Sequence, residues 1–233
     1  MSSTTEADDR LLAVFNALHE HFGPRRWWPA DSAFEVAVGA ILTQNTAWRN
    51  VEQAIANLKG AVDLSPDALA GLSRNRLEEL IRPAGFFRQK SRYLEELTTY
   101  LLREWNGDLI RLCTGPLETA RRRLLALKGI GPETADSILL YSAGRPTFVV
   151  DAYTYRIFSR LQILLGDESY QAVRLLFMRN LPKDASLFNE FHALIVQHAK
   201  TYCRKRRPDC QACPLLAVCP HGQTVSRVPP PGL

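Results

Sequence analysis

Apolar residues recur three and four positions apart along most of the chain, over 11–22, 34–42, 51–58, 93–102, 117–127, 135–141, 153–164 and 187–199. That period gathers them on one face of an α-helix in each segment. Start and stop signals separate the segments. Ser32 precedes Ala33-Phe34-Glu35, Ser65-Pro66 precedes Leu69, Pro83 and Gly85 precede Phe86, and Gly166-Asp167 precedes Tyr170. One β-like run, Thr147-Phe148-Val149-Val150, is short and ends at Asp151, so it reads as a buried connector rather than a sheet strand. The pattern predicts an all-α protein without internal repeats.

Composition narrows the class. With 233 residues, 46% of them hydrophobic, the chain buries a core as one domain or two small lobes and is no disordered protein. A formal charge of +5 and a pI near 9.1 point to an anionic partner, with cations grouped at Arg121-Arg122-Arg123 and at Arg204, Lys205, Arg206 and Arg207. No apolar stretch reaches the ~20 residues of a membrane span, so a soluble, cytoplasmic protein without a membrane partner is expected. Residues 1–9 and the Pro-rich 228–233 read as frayed ends.

Two motifs carry candidate chemistry. Leu127-Lys128-Gly129-Ile130-Gly131-Pro132-Glu133-Thr134-Ala135 joins two amphipathic segments through a turn with two glycines, a helix-hairpin-helix pattern. Gly129 and Gly131 are expected to take positive φ and bare the backbone amides, Ile130 to anchor the turn in the core, and Pro132 to start the next helix. Amides at such a helix start hold a phosphate without reading base sequence. An ordinary glycine-terminated helix followed by a proline-started one has the same pattern.

Cys203, Cys210, Cys213 and Cys219 form a C-x6-C-x2-C-x5-C array within one loop. An odd cysteine count and the lack of a signal-peptide pattern argue against disulfides and for a metal site. Spacing alone leaves zinc and an iron–sulfur cluster both open, since each takes four thiolates. Cys113 reads as a buried apolar residue. Asp151, at the start of a helical stretch, reads as an N-cap.

Hairpin, aspartate and cysteines in this order resemble the helix-hairpin-helix DNA glycosylase superfamily over nearly the whole chain. The cysteine spacing, with Tyr202-Cys203-Arg204-Lys205-Arg206-Arg207 around it, is similar to the cluster loop of the endonuclease III family. Residues 41–46, 82–90 and 129–139 resemble the 3-methyladenine DNA glycosylase III subgroup most specifically. The resemblance implies a two-lobed fold: a six-helix barrel-like domain over 32–146 bearing the hairpin, a second helical domain from 1–31 plus 147–222, and a disordered tail at 223–233. It implies a [4Fe-4S] cluster on the four cysteines, with structural zinc as the alternative. It also implies a monomer acting on damaged double-stranded DNA in the nucleoid of a bacterium or archaeon.

The resemblance further assigns roles. Asp151 becomes the catalytic carboxylate, stabilising the oxocarbenium-like charge and orienting or deprotonating the attacking water. Lys128, Gly129, Ile130, Gly131 and the basic loop Arg204–Arg207 would bind DNA. The pair Gln44-Asn45 would fill the gap left by the extruded nucleotide. Trp27, Trp28 and Trp48 would wall the base pocket, although aromatic residues at such places are more often core.

Bifunctional relatives place a nucleophilic lysine where this chain has Glu133. The substitution implies a monofunctional glycosylase, with Glu133 favouring a cationic base or simply serving as an acid in the first turn of a helix. Alkylated purines such as 3-methyladenine are the implied substrate, their positive charge stacking against electron-rich rings. An endonuclease III-like enzyme for oxidised or deaminated pyrimidines, and a non-catalytic DNA-binding module in which Asp151 only caps a helix, are the alternatives.

Overall fold

The computed structural model describes residues 3–25, 28 and 30–227. Its helices are α1 (Ser3–Phe22), α2 (Ala33–Leu42), α3 (Trp48–Ala61), α4 (Pro66–Ala70), α5 (Arg74–Leu80), α6 (Phe87–Trp105), α7 (Leu109–Leu112), α8 (Leu117–Leu125), α9 (Pro132–Ser137), α10 (Ala152–Arg160), α11 (Tyr170–Asn180), α12 (Ala185–Thr201) and α13 (Pro220–Arg227). Short 3-10 and π turns complete the regular structure, and no strand occurs among the described residues. None of the described helices is long and apolar enough to cross a membrane.

The serines that punctuate the sequence act as caps. Ser32, Ser65 and Ser169 accept hydrogen bonds from the amides of Glu35, Ala68 and Ala172 at 3.1, 3.2 and 3.2 Å. Each such cap contributes about 1 kcal/mol.

The chain divides into two compact units. One is continuous, 28–145, and holds α2 to α9; the other combines 1–27 with 146–233 and holds α1 and α10 to α13. The continuous unit has an aliphatic core around α2, in which every residue from Phe34 to Leu42 is buried, with Val51, Leu58, Leu94, Leu97 and Leu124 packed about it. Removing each such side chain from water is worth roughly 1.5–3 kcal/mol.

The discontinuous unit is aromatic inside. Phe148 stacks on Phe177 with centroids 4.0 Å apart, and Phe158, Phe188 and Phe191 meet this pair edge-on or tilted. The run Thr147 to Val150 is an extended connector with all four residues buried.

Three features depart from the sequence pattern. Helix α11 arises over 170–180, where Val173 and Phe177, four apart, are buried beside the fully buried Arg174. The charged residues interleaved among them obscured this stripe. Residues 223–227, expected in a tail, continue helix α13, which Gln223 fastens by donating to Ala217 O at 2.8 Å.

The triple arginine, grouped in the sequence as cations for an anionic partner, is not one exposed cationic patch. Arg121 is buried and forks onto Asp136 with contacts of 3.0–3.1 Å, and Arg123 donates to the carbonyls of Leu112 and Thr114. Within that triple only Arg122 is fully exposed.

Candidate functional site

In the continuous unit α8 and α9 are joined by residues 126–131. Leu127 and Ile130 are buried in the core while Lys128 is exposed. Gly129 has φ +89°, and the Tyr93 ring occupies the space a side chain would need, 2.1 Å from an ideal Cβ. Gly131 departs from the expected positive φ: it is an extended N-cap at φ −85° and ψ 178°, followed by Pro132 in the first turn of α9. No atom stands within 4 Å of the place its Cβ would take, so open space lies beside the start of α9. One glycine is there for conformation, the other for access.

The α2–α3 turn leans on this hairpin. Gln44 Nε2 donates to Gly129 O at 2.9 Å and to Thr134 Oγ1 at 3.0 Å, which ties the side chain down. Asn45, next to it, is exposed in the left-handed region at φ 52°. Asn45 is therefore the side chain of the pair presented at the turn. Behind the turn, buried Lys90 donates to Leu42 O and Ala84 O, both at 2.8 Å, closing the end of α2. Burial pushes the Lys90 ammonium down to about 8.

Of the expected pocket aromatics, Trp28 and Trp48 come together, edge to face at 5.0 Å, and Tyr141 stacks on Trp28 at 4.9 Å and 22°. Tyr141 lies in the π turn Ile138–Ser142 and read as one more apolar position in the sequence. Trp27 lies outside the described residues. Glu133 is exposed in the first turn of α9.

In the discontinuous unit Asp151 caps α10. Its Oδ1 accepts from the Thr154 amide at 2.7 Å and the Thr154 hydroxyl at 2.9 Å, and that hydroxyl in turn accepts from the Asp151 amide. Its Oδ2 faces buried His192 on α12, with Nε2 3.5 Å away. Burial opposes ionisation of Asp151, but the hydrogen bond and charge of His192 and the two donors of Thr154 outweigh it. The carboxyl stays below its usual range and is ionised at neutral pH.

The four array cysteines are free thiols lining one recess, together with Arg160, His198 and Tyr202. Arg160 Nη1 donates to Cys203 Sγ at 3.1 Å and to Arg204 O at 3.0 Å, and the Gly222 amide donates to Cys219 Sγ at 3.3 Å. Arg156, one turn earlier on α10, donates to Cys203 O at 2.8 Å.

Burial, reinforced by the neighbouring thiols, raises Cys210 and pushes Cys213 up to about 11. Such thiols stay protonated at neutral pH unless a metal centre displaces their protons. Four thiols on one recess are the donor set that a thiolate-bound metal group takes. Arg204, Lys205, Arg206 and Arg207 are all exposed beside the recess. Cys113 is buried in the aliphatic core, its thiol pushed up to about 12 by burial.

Several of these residues were not singled out from the sequence. Thr154 has a signal, three residues past an aspartate at a helix start, and Arg156 and Arg160 are four apart on one helix face. His192 lies on a different helix from Asp151 and has none.

Residues 38–183, which include the hairpin and Asp151, match the HhH-GPD superfamily of base excision DNA repair proteins. A protein of Methanocaldococcus jannaschii, provisionally named a DNA repair glycosylase, is 42% identical over 91% of this chain and 96% of its own length. Among solved structures, a non-covalent endonuclease III–DNA complex superposes with a TM-score of 0.81 over 95% of this chain and 99% of its own, at 23% identity. A 3-methyladenine DNA glycosylase of H. pylori bound to 1,N6-ethenoadenine gives 0.69 over 84% and 97%, at 28% identity. The hairpin and capped aspartate thus sit in a matched stretch that covers more than half of the chain, and the protein belongs to the HhH-GPD superfamily of base excision DNA repair glycosylases.

Proposed function

We propose that this DNA glycosylase is monofunctional and excises alkylated purines such as 3-methyladenine from duplex DNA after extruding the damaged nucleotide. The observation that carries the reading is an ionised, doubly anchored Asp151 in a chain whose sequence has an acid, Glu133, where bifunctional relatives hold the nucleophilic lysine. A carboxylate fixed at a helix start stabilises the positive charge that grows on the sugar as the glycosidic bond breaks, and orients the water that attacks it. Without an amine at position 133 no Schiff base forms there.

An N-alkylated purine carries a positive charge and departs readily, so a stacking surface and one carboxylate suffice. Trp28, Trp48 and Tyr141 supply such a surface, worth about 1–2 kcal/mol for a desolvated cation over a ring. The 3-methyladenine glycosylase relative bound to an alkylated adenine supports the same substrate class.

Phosphate contacts fall to the hairpin amides beside Gly131, to Lys128 and to the exposed Arg204–Arg207 loop, with Asn45 entering the gap in the stack. The recess of four cysteines would hold a [4Fe-4S] cluster. Four thiols line that one recess, in a spacing similar to the endonuclease III cluster loop, which supports a thiolate-held group there. When bound, such a cluster cross-links the loop that displays the basic residues.

The test is base release from duplexes carrying 3-methyladenine, 7-methylguanine, uracil, thymine glycol or an abasic site. Release of the two alkylpurines alone is expected. Preference for thymine glycol or uracil would replace this reading with a pyrimidine-directed enzyme of the endonuclease III type, and no release from any duplex would favour a non-catalytic binding module.

A further inference from the structure

The carboxylate of Asp151 is held from two sides by two different helices. Oδ1 is saturated by the Thr154 amide and hydroxyl of its own helix, contacts that any N-cap aspartate can make. Oδ2 receives nothing from α10. It faces Nε2 of His192, 3.5 Å away, on α12, which packs along α10.

His192 is buried, with 7% of its side chain exposed, and neighbours Phe191 of the aromatic core. A structural cap needs no such partner, and a buried imidazole costs free energy unless its polar edge is used. We infer that His192 is a positioning residue for the glycosylase reaction: in its Nε2–H tautomer it fixes the second oxygen of Asp151 and so sets the rotamer of the carboxylate. This inference rests on the reading of Asp151 as the catalytic carboxylate.

The surroundings leave few other ways to set that charge. From the connector and α11, the Tyr170 hydroxyl stands 3.4 Å from the Val150 amide. On α10, Arg156 and Arg160 reach away to the carbonyl and sulfur of Cys203. From α13, His221 lines the cysteine recess with Arg160. Of these groups and His192, His192 is the one from another helix that acts on the Asp151 carboxyl, and burial works against ionisation. With the imidazole gone, Oδ2 loses its partner and the carboxyl titrates at higher pH.

The test is single-turnover release of 3-methyladenine by His192→Phe, His192→Gln, Asp151→Asn and the unaltered protein, from pH 3 to 9, with duplex affinity measured alongside. For His192→Phe we expect kcat lower by about 10–100-fold, as a displaced catalytic group costs, with KM and duplex affinity unchanged. Its acid limb should move to higher pH. In His192→Gln, whose amide can still donate, most of the rate should return.

A role in packing alone predicts the opposite: loss of folding or affinity in Phe and Gln alike, with the acid limb unmoved. An unmoved limb in a folded His192→Gln or His192→Phe protein overturns the inference. If Asp151→Asn itself releases base at the unaltered rate, the underlying reading fails instead, and the two failures are told apart.

Discussion

The two units differ in what fills them and in what they can present. The continuous unit, 28–145, is aliphatic inside, and its proposed phosphate contacts are mostly backbone, at a glycine turn and the start of a helix, beside the side chains of Asn45, Trp28, Trp48 and Tyr141. The discontinuous unit is aromatic inside and its proposed chemistry rests on side chains: Asp151, His192, Arg156, Arg160 and four cysteines. Backbone recognition needs conformation, which a few glycines and one well-placed glutamine secure locally. Side-chain chemistry needs groups held to fractions of an ångström, and here a rigid aromatic floor and contacts between α10, α12 and the cysteine loop do that.

Substitutions can break this division. The largest effect belongs to Asp151→Asn, which removes the charge but keeps an acceptor for the Thr154 amide. Base release should fall about 10²–10⁴-fold, with duplex affinity retained. Full activity in a folded mutant would return Asp151 to the role of a cap.

The same change has a stability consequence with a definite sign. Because folding holds the carboxyl below its ordinary value, the stabilisation from its ionised form is complete above pH ~4. It is lost as the pH falls through the folded value. Urea unfolding should therefore show Asp151→Asn less stable than the unaltered protein at pH 7, with the gap closing toward pH 2.

Next in size is the buried ion pair of the continuous unit. Asp136→Ala removes the carboxylate that buried Arg121 forks onto and should cost about 3–5 kcal/mol in urea unfolding. A loss below ~1 kcal/mol would mean that the pair is bathed in water.

Two alanines then separate conformation from access at the hairpin. Gly129→Ala drives a methyl into the Tyr93 ring at a positive φ and should lower stability by about 1–3 kcal/mol or more. Gly131→Ala meets no atom of the protein, so stability should hold within about 1 kcal/mol while duplex affinity drops. Equal affinity in Gly131→Ala and the unaltered protein would remove the hairpin from the DNA contact.

The smallest effect is electrostatic. Neutralising Arg206 and Arg207 together should weaken binding evenly across duplex sequences and reduce the slope of log K against log salt by about 1.8, if each meets one phosphate. An unchanged slope would leave the loop without a phosphate contact.

How far the sequence reveals this division follows the same line. The hairpin, the serine caps, the buried connector and the cysteine array are local patterns, each visible within one short stretch of sequence. The partnership of Asp151 with His192 joins positions 41 apart on separate helices, and no local pattern encodes it. Arg121 and Arg123 misled for a related reason: their partners, Asp136 and the carbonyls of Leu112 and Thr114, come from neighbouring elements, so a run of charge looks exposed until the helices pack. At Gly131 composition was informative and conformation was not. Glycine there leaves space rather than turning the chain.

The central claim is that the chemistry runs through a carboxylate of the discontinuous unit and needs no amine. Its most direct test is a duplex with a single 3-methyladenine, incubated with the protein in the presence and absence of borohydride and analysed before and after alkali. The account predicts free 3-methyladenine, an intact strand until alkali is added, and no borohydride-trapped protein–DNA adduct. A trapped adduct, or a nick before alkali, would contradict it and reveal a lysine acting in place of water.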